Sequence, residues 1–189
     1  MIHFFKKWIT PNQLTVLRIA LIPVVYFMVT LDTRNMLFIG WILFAFACFT
    51  DYWDGLLARH TDTTTDFGKL LDPIADKILI AAILILLVSM GRAPAYLAAI
   101  IIGREFAISA MRSIAASKGV VIPASSGGKI KTISQMLAVG FLIIHYDTLW
   151  IPCHAVGTVL LWIATVITLW SGVDYFLAFR KVTLTASET

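Results

Sequence analysis

Cysteine is almost missing from this chain, with only Cys48 and Cys153 among 189 residues. Two thiols, one expected inside an apolar run and one near the outer end of another, exclude a disulfide framework and read as packing groups. Histidine is equally thin: His3, His60, His145 and His154 are widely separated and lack the spacing of a zinc site. Charge is scarce too. Asp, Glu, Lys and Arg supply 14% of the residues against 59% hydrophobic ones, and the mean hydropathy is +0.87. Those values exclude a disordered chain and lie above the range of soluble domains. Low-complexity tracts and internal repeats are lacking as well, and the length bounds a single domain.

Apolar runs fill the chain instead. Six of them, roughly 14–30, 36–57, 74–90, 93–116, 130–145 and 149–179, are read against the about 20 residues needed to cross a hydrocarbon core of about 30 Å. The fourth contains Arg104 and Glu105, and the fifth is short. The expected fold is an all-α integral membrane protein with six transmembrane helices over residues 11–181 and a polar tail over 182–189. A short interfacial helix is expected within residues 1–10, where His3-Phe4-Phe5-Lys6-Lys7-Trp8 mixes aromatic and cationic side chains. Lys6 and Lys7 imitate a secretory signal, but no small-residue cleavage site follows the first run, which is read as retained. Thr10-Pro11-Asn12-Gln13 has the chemistry of a helix start, with Thr10 as cap and Pro11 at the first helical position.

When six spans alternate across a bilayer, one side collects Lys6, Lys7, Arg18, Arg59, Lys69, Lys77, Arg104, Arg112, Lys118, Lys129, Lys131, Arg180 and Lys181. The other receives only Arg34 and Arg92. The positive-inside rule then places both termini on the cytoplasmic face of the cell's inner membrane. The net charge of +4 reflects this topology and an anionic substrate, and no nucleic-acid partner is expected.

Four acids stand close together against this apolar background. Asp51-x-x-Asp54-Gly55-x-x-Ala58-Arg59 is followed by Gly68, Asp72 and Asp76. The acids pair at i,i+3 and i,i+4, so each pair shares a face where its segment is helical. Massed carboxylates suit Mg²⁺ or Mn²⁺, and Mg²⁺ is typically shared between one or two carboxylates and substrate phosphates. Insertion scales charge about +2.5 to +3.5 kcal/mol for an Asp at the centre of a membrane helix. Several acids together also repel, so a bound cation or protonation must relieve them. Gly55 and Ala58 leave room for either a nucleotide or a neighbouring helix. Asp62 and Asp66 lie outside the pattern in a polar connector and read as solvated, while Pro73 marks either the start of the third helix or a bend in it.

The pattern D-x2-D-G-x2-A-R-x8-G-x3-D-x3-D, filled at every specified position from Asp51 to Asp76, resembles the signature of the CDP-alcohol phosphotransferase family. Further similarity runs from Asn12 to Lys131. The resemblance implies a membrane enzyme that moves a phosphatidyl group from a CDP-linked lipid to an alcohol and releases CMP, with homodimers as the family's form. It assigns Asp51, Asp54 and Asp72 to the metal and Asp76 to the general base, with Asp76 also counted in the metal's ligand set. Spacing alone does not choose among the four. The chemistry has matching needs: departing CMP, with a second pKa near 6, requires neutralisation, whereas the attacking alcohol requires a base.

The resemblance extends to the nucleotide. Asn12, Thr15 and Arg18 recur at i, i+3 and i+6 within a third of a helix circumference; alone they read as capping plus an arginine snorkelling to the interface. Beside the family's first-helix motif they become CDP-lipid-binding residues, together with Asp54, Gly55, Ala58, Arg59 and Gly68. Arg104 and Arg112, eight residues apart, fall on roughly one face of the fourth run, with Lys129 and Lys131 across the Gly127-Gly128 loop. Such cations suit an acceptor that itself carries a phosphate. The other reading pairs Arg104 with an acid such as Glu105 or Asp174 and turns both lysines to lipid headgroups.

Gly103-Arg104-Glu105-Phe106-Ala107-Ile108-Ser109, Ala116-Ser117-Lys118-Gly119-Val120 and Gly128-Lys129-Ile130-Lys131-Thr132 are similar to stretches of the family's bacterial phosphatidylglycerophosphate synthase branch. That resemblance implies CDP-diacylglycerol and glycerol 3-phosphate as substrates. Another acceptor alcohol, such as inositol phosphate or serine, or a divalent-cation transporter, is the competing expectation.

Overall fold

The computed structural model describes residues 11–57, 66–117, 126–148 and 150–185; within these, 11–15, 51–57, 66–76, 126, 127, 129 and 182–185 are described by backbone path alone. The described residues form six helices: α1 Pro11–Thr30, α2 Arg34–Leu57, α3 Asp66–Ser89, α4 Ala95–Ser117, α5 Ser126–Ile144 and α6 Cys153–Thr185. The described residues are all-α, as expected. The interfacial helix expected within 1–10 lies outside the described residues.

Helix boundaries depart from the apolar runs wherever polar residues continue a helix. α3 begins at Asp66 and continues through Pro73, so of the two readings of the proline, a helix start or a bend, the start does not hold. Asp66, expected in the connector, opens this helix. α5 closes at Ile144, and His145 adopts φ 58, a left-handed conformation that takes the chain out of the helix. The sixth helix starts at Cys153 because residues between it and α5 make a turn, with a bridge between Thr148 and Ile151 and Trp150 at φ 65.

α3 ends on a Schellman cap. Gly91 adopts φ 71, Arg92 N–H donates to Leu87 C=O at 2.8 Å, and Gly91 N–H donates to Val88 C=O at 3.0 Å. This turn places Arg92 beneath the loops joining α1 to α2 and α5 to α6. Arg92 pairs with Asp32 and reaches the Ile143 carbonyl at 3.4 Å, while the Tyr146 hydroxyl donates to the Asp32 carbonyl at 3.3 Å. His145 and His154 meet edge-on with ring centroids 5.2 Å apart. The separation of the histidines in sequence hid this contact.

One buried cluster ties the helices together, including Val25 and Val29 of α1, Phe44 of α2, Ile83 and Leu87 of α3, Ile101 of α4, Leu142 of α5 and Leu161 of α6. α1 packs on both α2 and α3, and α6 packs on α4 and along α5. Gly157 lets the last pair approach: a Cβ there would lie 2.8 Å from the Leu142 side chain and 3.0 Å from its backbone nitrogen. No disulfide joins Cys48 and Cys153.

The polarity of α6 is inverted relative to a soluble helix. Thr165, Thr168 and Ser171 are buried, whereas Val159, Trp162, Val166, Leu169, Trp170 and Val173 are exposed. An apolar outer face and a polar inner seam are what lipid rather than water rewards. Among the described residues one helix, Cys153–Lys181, is long and apolar enough to cross a membrane; shorter apolar stretches run Val16–Thr30, Arg34–Thr50, Lys77–Ser89 and Ile130–Ile144.

Candidate active site

Asp51, Asp54 and Gly55 fall in the last two turns of α2, and Gly68, Asp72 and Asp76 in the first three of α3. Their backbone is helical, so the i,i+3 and i,i+4 spacings put each acid pair on one face by register. Their side chains, and Ala58 and Arg59 entirely, lie outside the described residues. α2 and α3 both pack against α1, which carries Asn12, Thr15 and Arg18. The side chains of Asn12 and Thr15 are not among those described. Arg18 is fully buried, so this arginine points into the bundle and does not snorkel to an interface. Hard carboxylate oxygens on two helix ends that share a third helix are a donor set suited to Mg²⁺ or Mn²⁺. No cluster of three or more metal-binding side chains occurs among the described residues.

A second polar centre lies where α4, α5 and α6 meet. Glu105 Oε1 accepts from Arg104 Nη1 at 3.2 Å and also from Lys131 Nζ. Arg104 Nη2 donates to Ser171 Oγ at 2.8 Å, and the Ser171 hydroxyl donates in turn to the Thr168 carbonyl at 3.3 Å. One helical turn beyond Lys131 on α5, Gln135 Nε2 donates to Thr168 Oγ1 at 3.0 Å. Two cations therefore share one carboxylate in a site that is largely shielded from solvent, with all three side chains no more than 14% exposed. Interactions between these charges are poorly screened there.

Of the four expected acceptor-site cations, the structure brings Arg104 and Lys131 together. Arg112 instead faces Tyr175 of α6, with its guanidinium carbon 5.8 Å from the ring centroid, a cation–π distance. The Lys129 side chain lies outside the described residues. The pairing of Arg104 with Glu105 matches one expected alternative, but Lys131 turns to the same acid and is buried. The residues missed from sequence are Gln135, Thr168, Ser171 and Tyr175. A signal was available, because Thr165, Thr168, Ser171 and Tyr175 recur at three- and four-residue intervals on one stripe of an apolar helix.

Comparison with known proteins bears on this arrangement. The family model for CDP-alcohol phosphatidyltransferase matches residues 8–170. The chain belongs to the CDP-alcohol phosphatidyltransferase family. It is 39% identical over 178 residues to the CDP-diacylglycerol–glycerol-3-phosphate 3-phosphatidyltransferase of Bacillus subtilis, covering 88% of this chain and 92% of that one. It is 37% identical over 172 residues to the protein of the same name from Rickettsia bellii, covering 90% and 95%. A probable phosphatidylglycerophosphate synthase of Mycobacterium tuberculosis is 39% identical over 169 residues, covering 87% and 78%. Both polar centres, the α2–α3 acids and the α4–α5–α6 junction, except its Ser171 and Tyr175, fall within the segment that the CDP-alcohol phosphatidyltransferase family model matches.

Proposed function

We propose that this chain transfers the phosphatidyl group of CDP-diacylglycerol to glycerol 3-phosphate, giving phosphatidylglycerophosphate and CMP. The observation that carries this reading is the identity of 37–39% over about nine-tenths of the chain to enzymes named for that reaction. The cation-rich junction supports the choice of a phosphorylated acceptor, since a neutral alcohol gives no reason to gather Arg104 and Lys131 around a single acid.

In this reading Asp51, Asp54, Asp72 and Asp76 hold Mg²⁺ or Mn²⁺, which supplies charge neutralisation at the diphosphate. Asp76 accepts the proton of the glycerol 3-phosphate hydroxyl as its oxygen attacks the phosphatidyl phosphorus. The bond from that phosphorus to the oxygen of CMP breaks, and the electron pair leaves with CMP. Asn12, Thr15, Arg18, Gly55, Ala58, Arg59 and Gly68 line the nucleotide, with Gly and Ala allowing close approach. Arg104, Arg112, Lys129 and Lys131 receive the acceptor's phosphate.

The six helices are assigned as spans of the inner membrane, with residues 1–10 at the interface and the acids open to the cytoplasm. The inverted polarity of α6 supports that placement, as does the bias of Lys and Arg toward one side. Residues 11–181 are one catalytic domain, and two copies associate. The test is CMP release by purified protein given CDP-diacylglycerol and a panel of alcohols, with and without Mg²⁺ or Mn²⁺. Release with glycerol 3-phosphate and a divalent ion is expected. Release with inositol phosphate or serine alone would reassign the acceptor, and full activity after exhaustive chelation would remove the metal.

A further inference from the structure

The contacts at the α4–α5–α6 junction are unusual in their direction. Arg104 and Lys131 approach from different helices, yet both donate to the same oxygen of Glu105, Oε1, and among the described residues Oε2 receives no hydrogen bond. Arg104 therefore binds this carboxylate through one N–H only, although its fork is shaped to grip an oxyanion through two. Its second amino group is spent on Ser171. Its Nε is buried and makes no hydrogen bond. A guanidinium with an unused buried donor and an ammonium, both aimed at one point occupied by one carboxylate oxygen, describe an oxyanion-binding point filled from within.

We infer that Glu105 is a positioning residue whose Oε1 stands in for a phosphate oxygen of the acceptor. It holds Arg104 and Lys131 in convergence until glycerol 3-phosphate displaces it from at least one of them. The inference rests on the reading that these cations receive the acceptor's phosphate. Two effects follow from charge alone. The internal carboxylate must be moved aside by any incoming anion, so it lowers the affinity for glycerol 3-phosphate. It also discriminates against small anions such as inorganic phosphate, which lack further contacts with the site to offset that displacement.

α6 contributes space to the same device. A Cβ at Gly172 would lie 3.3 Å from both Cγ and Nε of Arg104. An alanine there presses on the arginine without changing any charge.

The test compares steady-state kinetics of wild type, Lys131→Ala, Glu105→Gln and Gly172→Ala, with inorganic phosphate as inhibitor. Lys131→Ala is expected to raise KM for glycerol 3-phosphate about tenfold with little change in KM for the lipid. An unmoved value would overturn the phosphate-site reading and this inference together. With that arm positive, Glu105→Gln is expected to lower KM for glycerol 3-phosphate and the inhibition constant of inorganic phosphate by about threefold or more each, leaving KM for CDP-diacylglycerol unchanged. An unchanged or raised KM for glycerol 3-phosphate would sink the inference and leave the phosphate site standing. Gly172→Ala is expected to raise that KM, and no change would remove α6 from the device. Should Glu105→Gln fail to accumulate, Glu105→Asp, whose shorter side chain draws the carboxylate back from the convergence, is judged by the same signs.

Discussion

The two halves of the bundle each bury an arginine beside a carboxylate, and they do so with different stoichiometry. At the end formed by the α1–α2, α3–α4 and α5–α6 connections, Arg92 is 5% exposed and has Asp32 as its own acid and the Ile143 carbonyl as a further acceptor. Charge there is neutralised one for one. At the α4–α5–α6 junction, Arg104 and Lys131 divide a single Glu105. The first arrangement ties three connections together and leaves nothing over. The second brings two cations from different helices onto one carboxylate oxygen. A buried ion pair is thus no guide to role until its geometry is read, since a one-to-one pair can serve architecture while convergent cations can receive an anion.

The comparison can be broken most severely at the acids. Asp76→Asn is expected to reduce kcat about 10²–10⁴-fold, the range of general-base contributions, while CDP-lipid binding remains measurable and thermal stability in detergent holds. Retained turnover would remove Asp76 as base. At the opposite end, Asp32→Asn should do the reverse. It leaves a buried guanidinium with a carbonyl and a weaker partner, at a cost of about 1–3 kcal/mol, discounted toward the lower figure because Asp32 is 51% exposed. A lowered thermal midpoint with both KM values unchanged is the expected outcome; a shift in KM for glycerol 3-phosphate would erase the division between the two halves.

A smaller effect separates Arg112 from the Glu105 junction. Arg112→Ala is expected to raise KM for glycerol 3-phosphate about three- to tenfold, and more than it raises KM for the lipid. Equal effects on both would assign Arg112 to its contact with Tyr175. The smallest expected effect is in pH. His145 titrates below its usual 6.5, chiefly because burial disfavours the imidazolium, with Arg92 and His154 repelling it and Asp32 and Asp147 pulling weakly the other way. The folded chain therefore takes up this proton less readily than the unfolded one. Its contribution to stability is complete above about pH 6.5 and declines as the pH falls through that value. His145→Gln should flatten the dependence of the thermal midpoint between about pH 7 and pH 5.5; an unchanged slope would place the titration elsewhere.

Much of the helix pattern was legible because each apolar run becomes a helix within a few residues of its ends. Where it failed, a helix ran on through polar or small residues or a local turn ended it. α3 extends back over Asp66 and Gly68 although those residues are polar or small, and α5 stops when His145 turns left-handed. The acid signature was also legible, because register within a helix depends only on sequence spacing. Arg104 and Lys131, by contrast, could be suspected but not joined. Glu105 and Lys131 lie 26 positions apart in the chain, and their contact depends on how α4 and α5 meet α6.

The sequence by itself determined an all-helical chain with apolar faces turned both inward and outward, the family, and the acids on helix-spaced positions. These are local properties, fixed by composition and by the 3.6-residue period. Only the tertiary structure decided which charges meet. The ownership of Asp32 by Arg92, the shared claim of Arg104 and Lys131 on one oxygen, and the burial of Arg18 all arise from packing between helices distant in sequence, where small changes in contact decide whether a charge is matched, shared or held in reserve.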